Sequence, residues 1–317
     1  MKRWSIVLAA LLLVVFGGPW LLPRPGLDGA IPDRPFEDSA FLEIDGVRLH
    51  WRGRDGDAGD ARPLVVLLHG FGGSSFSWRK TLDALESAGF DVIAPDLPPF
   101  GYSERTGRGP DWATLVQRLA ERQRDSGSVI WVGHSMGAGV AARAAGRWPD
   151  RTDDLILVGG TPGLRRSDPL MRIVSGVSSF RRAAESWAAW RLAGAERIRA
   201  LLTSAFGRPP NEAELQGYRA PLTIQGTYPA LLVRLDGEPD GPTPDELPAS
   251  THLIWGESDA WVPLERGRAL VRNRPDIGPI TIIDEAGHNP MDTHPDAFQR
   301  ALLSRIGRTD PETRRVR

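Results

Sequence analysis

The segment Gly133-His134-Ser135-Met136-Gly137 sets one serine between two glycines, after the β-forming run "SVIWVG" and before a run of small helix-formers. A serine on a sharp strand-to-helix turn is held in a strained backbone conformation with its hydroxyl raised above the sheet. The residues two before and two after it must be small, because they approach the turn closely. Such a hydroxyl is a poor nucleophile until a base removes its proton, and the base needs a carboxylate to fix its tautomer and stabilise its protonated form. Asp259 in "LIWGESDAWVP" and His288 in "IIDEAGHNPMDTHP" follow two later β-forming runs and supply those types, in the chain order Ser135, Asp259, His288. Glu257 and Asp284 compete with Asp259, but Glu257 is closer to its strand end and Asp284 closes a strand ahead of the histidine. His294 competes with His288, but it directly precedes Pro295 at a helix start. His134 is read as a wall residue beside the serine, since neighbours on such a turn point in different directions.

Acyl transfer through a serine also needs N–H donors where negative charge develops on the attacked carbonyl oxygen. The glycine-rich segment "HGFGGSS", residues 69–75, follows the apolar run "LVVLL", and its glycines let the backbone approach a bound molecule. The backbone N–H groups of Phe71 and Met136 are the expected pair, with His69 hydrogen-bonded inside the loop.

These residues must be placed by the elements around them. Residues 39–53 read as two antiparallel strands joined at Asp45-Gly46, a pair that tight hairpins prefer. The continuous apolar runs "LVVLL", "DVIAPD", "SVIWVG", "DLILVGG", "THLIWG" and "PITIID" read as strands covered on both faces. Helical spacing falls between them at residues 76–88, 111–124, 136–147, 264–273 and 295–306. The alternation predicts a doubly wound α/β sheet. It breaks at residues 162–249, where helix-like segments carry no convincing buried strand; an inserted helical lid is expected there, because structureless loops of that length are rare. Phe180, Trp187, Trp190, Phe206 and Tyr228 in this insert either line an apolar pocket or pack its helices onto the body.

Taken together, "LLHGFGGSSFSW", "VIAPDLPPFGYSE", "VGHSMGAG", "LIWGESDAWVP" and "DEAGHNP" resemble the α/β-hydrolase superfamily from about residue 40 to 307. The resemblance implies the α/β-hydrolase fold: a mostly parallel eight-stranded sheet flanked by helices, with a helical lid inserted after strand six. It divides the chain into a core at 39–161 and 250–307, a lid at 162–249 and a tail at 308–317. One departure is Pro99, which stands where the related pattern has a glycine. Serine at the turn argues against branches whose nucleophile is a carboxylate. The expected activity is hydrolysis of carboxylic esters or related acyl compounds, with a small hydrophobic ester-like substrate, through an acyl-enzyme on Ser135. C–C bond hydrolysis by the same three residues and a non-catalytic binding role are the alternatives.

Composition narrows the classes further. Net charge is -1 and the arginines are scattered among acidic residues, so no nucleic-acid partner is expected. The chain has no cysteine, which removes thiolate metal sites, disulfides and a cysteine nucleophile. No metal or cofactor motif is present, and no cofactor is expected. After Met1-Lys2-Arg3, residues 4–22 form an apolar run that as a helix would reach roughly 28 Å, about the thickness of a hydrocarbon core. The run is read as a membrane anchor that places the catalytic body outside the cytoplasm, with a cleaved secretory signal or a buried helix as competing readings. Residues 23–38, rich in Pro, Gly and charge, read as a linker.

Overall fold

The computed structural model describes residues 29–54, 64–124, 127–163, 194–237, 242–248 and 250–307, with residues 17, 18, 20, 21, 179, 180, 182, 183, 186 and 187. Eight strands form one sheet: β1 (Ser39–Ile44), β2 (Val47–Gly53), β3 (Leu64–Leu68), β4 (Asp91–Pro95), β5 (Val129–His134), β6 (Thr152–Val158), β7 (Thr251–Gly256) and β8 (Ile280–Ile283). Their order across the sheet is β1-β2-β4-β3-β5-β6-β7-β8. β1 and β2 are antiparallel to each other, and β2 is antiparallel to β4; every other neighbouring pair is parallel. The β1–β2 turn places Asp45 at φ 51° and Gly46 at φ 76°, the two positive values that a tight hairpin turn matched to strand twist requires.

β3 is apolar at every position, and β4, β5 and β6 carry polar residues only at their ends, because both faces of the central strands are covered. In β3, Leu64, Val66 and Leu68 join one core cluster with Trp112, Trp131 and Trp255. Val65 and Leu67 join the other with Trp78, Leu82 and Phe298. This period-2 division is what a strand between two helical layers produces. The helices of the first layer are α2 (Trp112–Gln123), α3 (Met136–Arg147) and α7 (Leu264–Asn273). Those of the second are α1 (Arg79–Ser87) and α9 (Pro295–Ile306), with the short α8 (Pro290–Thr293) beside them. Asp111 caps α2 by accepting from Thr114 N–H at 3.2 Å, which fixes its start.

Between β6 and β7 the described chain is helical: α4 (Ala195–Phe206), α5 (Glu212–Leu222) and α6 (Thr227–Gly237). Asn211 and Glu214 form a reciprocal capping box at the start of α5. Ile198, Leu202, Phe206, Leu215 and Tyr218 make a small core of their own within this insert. Residues 29–38 lie against the body: Gln225 N–H donates to Gly29 O at 3.0 Å, and the Phe36 ring packs edge-on against Tyr102.

Of residues 4–22, only 17, 18, 20 and 21 are described, and the rest of that apolar run lies outside the described residues. Among the described residues no helix is long and apolar enough to cross a membrane. The expected membrane-spanning anchor is therefore not found among the described residues, and the membrane partner and the outward placement of the body that rested on it are withdrawn. Apolar length sets how far a helix can reach, and it does not by itself make the run a span.

Candidate active site

Every expected site residue follows the C-terminal end of a parallel strand: Phe71 after β3, Ser135 after β5, Asp259 after β7 and His288 after β8. Ligands of open α/β sheets gather on that edge. Ser135 sits at φ 52°, ψ −114°, a conformation that costs a non-glycine residue on the order of 1–3 kcal/mol. The flanking glycines make it sterically possible. A methyl group on Gly133 would lie 2.3 Å from Gly137 O, and one on Gly137 would lie 2.4 Å from Leu68 O. Ser135 N–H donates to Val158 O at 2.9 Å, which ties the turn to the end of β6.

His288 is buried and donates from Nδ1 to Asp259 Oδ2 at 2.8 Å. A carboxylate can only accept, so the proton is on Nδ1 and the Nε2 lone pair is left for a substrate or a hydroxyl. The other oxygen of Asp259 accepts from the backbone N–H groups of Trp261 and Val262, both at 2.9 Å. The rivals stand elsewhere: Glu257 and Asp284 are exposed, and Glu257 accepts from Glu285 N–H. His294 is partly exposed, its Nδ1 3.0 Å from its neighbour Thr293 Oγ1.

Ser135 and His288 share the wall of a cavity of about 420 Å³ with Phe71, Trp261, Tyr218 and Leu202. Helices α4, α5 and α6 supply much of that wall. Among the described residues, neither Phe71 N–H nor Met136 N–H donates to a backbone carbonyl outside regular structure, and Met136 opens α3, where an N–H has no partner within the helix. Of the insert aromatics, Tyr228 lines the cavity and Phe206 packs in the insert's own core, while Phe180 and Trp187 are exposed. Trp190 lies outside the described residues.

Two histidines hold the walls. His134 Nε2–H donates to His288 O at 2.8 Å. Burial, and then the neighbouring His288, push its pKa well below the usual histidine range, so it is a neutral brace between the turn and the His288 loop. His69 accepts from Leu97 N–H at Nε2 (2.9 Å) and donates from Nδ1 to Gly70 O (2.8 Å). Burial lowers its pKa against the opposing pull of Asp96 and the Gly70 carbonyl. Trp261 was not singled out from sequence. Its ring stacks on His288 at 5.3 Å and 26°, and its place two residues after Asp259 was the available signal. Among the described residues, no group of three or more His, Asp or Glu is arranged to hold a metal.

The chain is similar to known hydrolases along most of its length. A hydrolase of Bacillus subtilis, YugF, is 27% identical over an alignment of 271 residues that covers 83% of this chain and 96% of that protein. The 2-hydroxy-6-oxononadienedioate/2-hydroxy-6-oxononatrienedioate hydrolase of Escherichia coli is 26% identical over an alignment of 295 residues that covers 87% of this chain and 98% of that protein. The crystal structure of an esterase from Thermogutta terrifontis superposes with a TM-score of 0.64 at 24% identity, covering 84% of this chain and 97% of that one. A model of the alpha/beta hydrolase family matches residues 65–301, from the first buried parallel strand through the insert to the last helix. The chain is therefore a hydrolase and belongs to the alpha/beta hydrolase family.

Proposed function

We propose that the chain hydrolyses carboxylic esters with an apolar acyl or alcohol part, using Ser135 as nucleophile, His288 as base and Asp259 as its orienting carboxylate. The observation that carries this reading is the strained Ser135 in one cavity with a His288 whose Nδ1 is committed to Asp259. Ser135 Oγ attacks the ester carbonyl and its proton passes to His288 Nε2. The N–H groups of Phe71 and Met136 receive the oxyanion. Collapse expels the alcohol, which takes the proton from His288. Water then attacks the acyl-enzyme, gives its proton to His288, and the acid leaves as Ser135 recovers that proton. Helices α4, α5 and α6 of the insert act as the lid over this cavity.

The lining supports a neutral substrate. Among the described residues no Lys, Arg, Asp or Glu faces the cavity, whereas Phe71, Phe100, Leu202, Leu222, Leu231 and Trp261 do. The Escherichia coli relative is named for a dioate, whose two carboxylates would want cationic partners. Relatedness to that protein keeps C–C bond hydrolysis as the second reading. The test is intact-protein mass spectrometry after treatment with a fluorophosphonate ester, alongside turnover of p-nitrophenyl esters. One adduct at Ser135 with ester turnover is the expected result. Acid release from a vinylogous diketone without ester turnover would replace ester hydrolysis with C–C cleavage, and an unmodified wild type would remove Ser135 as nucleophile.

A further inference from the structure

The insert reaches past the cavity wall to the loop that carries His288. His288 N–H donates to Ala205 O, in the last turn of α4, at 2.7 Å. The contact is tight, since a methyl group on the preceding Gly287 would lie 2.5 Å from the same oxygen. The next residue, Asn289, donates from Nδ2 to the Tyr218 hydroxyl on α5 at 3.2 Å. Tyr218 in turn donates to Asp292 Oδ2, and Arg79 Nη1 lies 2.5 Å from the other oxygen of Asp292. Because the phenolic hydrogen is donated to Asp292, the tyrosine oxygen is left to accept, and that fixes which way the Asn289 amide points. On the other side of the ring, Trp261 stacks on His288 and donates from Nε1 to Ser204 Oγ at 3.0 Å, again in the last turn of α4.

Three hydrogen bonds from two insert helices thus end on His288, on the residue after it, and on the ring stacked against it. On the core side, Asp259 holds the His288 ring and His134 its carbonyl, while Ser258 N–H and the Glu257 carboxylate hold Ala286 and Glu285 earlier in the same loop. Alignment of a base tolerates little error: a displacement of about 1 Å costs on the order of a hundredfold in rate. Resting on the Ser135–His288–Asp259 reading above, we propose that Tyr218, through Asn289, and Ser204, through Trp261, are positioning residues for His288, so that the insert sets the base as well as walling the cavity.

The test uses the full chain with Tyr218→Phe and with Ser204→Ala. Active sites are titrated with a fluorophosphonate, and kcat and KM are measured on a p-nitrophenyl ester. Tyr218→Phe keeps the ring on the cavity wall and removes only the relay, so kcat per titrated site falls about tenfold while KM stays within about twofold. Ser204 is exposed, so Ser204→Ala carries little risk to folding; it lowers kcat about threefold in the same pattern. Should Tyr218→Phe fail to fold, Ser204→Ala decides alone. Wild-type kcat per titrated site in the folded variants, or a loss confined to KM, overturns the positioning role. A wild type that is not modified at Ser135 at all overturns the functional reading instead, and the positioning role falls with it.

Discussion

The molecule contains two constellations of serine, histidine and aspartate, and they differ in everything except residue type. At the edge of the sheet, Ser39 Oγ lies 2.8 Å from His50 Nε2, and His50 Nδ1 lies 2.7 Å from Asp96 Oδ2. Beside the cavity, His288 makes the matching bond to Asp259 at 2.8 Å, while the strained Ser135 projects from its turn. Ser39 lies within a regular strand, and its hydroxyl also accepts from Phe36 N–H at 2.9 Å. His50 is fully buried among Phe36, Phe41 and Tyr102. The first constellation is closed, with its hydroxyl engaged as donor and as acceptor inside the fold. A nucleophile needs the opposite: an open approach, unclaimed amides nearby and a base whose second nitrogen faces substrate. The closed set does a different job. Asp96 also accepts from Ser75 N–H at 2.6 Å and Tyr102 N–H at 2.7 Å, so it pins the loop after β3 that carries Phe71 to the loop after β4.

The largest effect that sharpens this contrast is on chemistry. Ser135→Ala is expected to lower kcat by about 10⁴-fold or more and to remove the fluorophosphonate adduct, with folding retained by circular dichroism. An adduct that persisted on Ser39 in that variant would break the comparison at its root. Next in size is a change in the backbone around the closed set. Gly101 sits at φ 58°, and a methyl group there would lie 1.9 Å from Asp96 Cγ. Gly101→Ala therefore costs about 4 kcal/mol or more, read as a fall in the denaturant midpoint or as loss of soluble protein.

Acid stability tests the closed set next. Burial alone would raise the pKa of Asp96, but the His50 ring and the Ser75 amide bring it down to about 2. A carboxylate whose folded pKa lies below its unfolded value contributes stability that is whole above about pH 4 and is lost as pH falls toward 2. Here that amounts to about 2 kcal/mol. Urea unfolding of wild type between pH 5 and 2 should show that loss, and Asp96→Asn should flatten it. An unchanged slope would mean that the His50–Asp96 contact contributes nothing to folding.

How much of this could be read from sequence depends on whether partners stand at fixed offsets. The turn at Ser135 could, because Gly133 and Gly137 must be small for reasons local to the chain. The buried strands could, since a strand covered on both faces reads as a short continuous apolar run; the run within "THLIWG" marks β7, residue for residue. The Asp259–His288 pairing followed from strand ends that share one edge of the sheet. The contacts of Tyr218, Ser204 and Ala205 could not, because they depend on how the insert docks, and no spacing encodes that. The Ser39–His50–Asp96 set was equally hidden, joined across 46 residues between His50 and Asp96. For the apolar run at the N-terminus, composition gives a helix's reach, and reach does not by itself make a span.

The smallest effect tests the comparison most directly. Ser39→Ala removes a hydroxyl that satisfies Phe36 N–H and the His50 ring at once. Ser39 is partly exposed, so water can replace the hydroxyl on the Phe36 side, and the loss should be about 1 kcal/mol in urea unfolding. Turnover should stay within about twofold, because Ser39 stands on the edge strand β1, away from β5 and Ser135 in the sheet, and Asp96 keeps its Ser75 and Tyr102 bonds. A tenfold fall in kcat with stability intact would show that the closed set tunes the Phe71 loop through Asp96. The two constellations would then be one coupled system, and the division between an open site and a structural anchor would no longer hold.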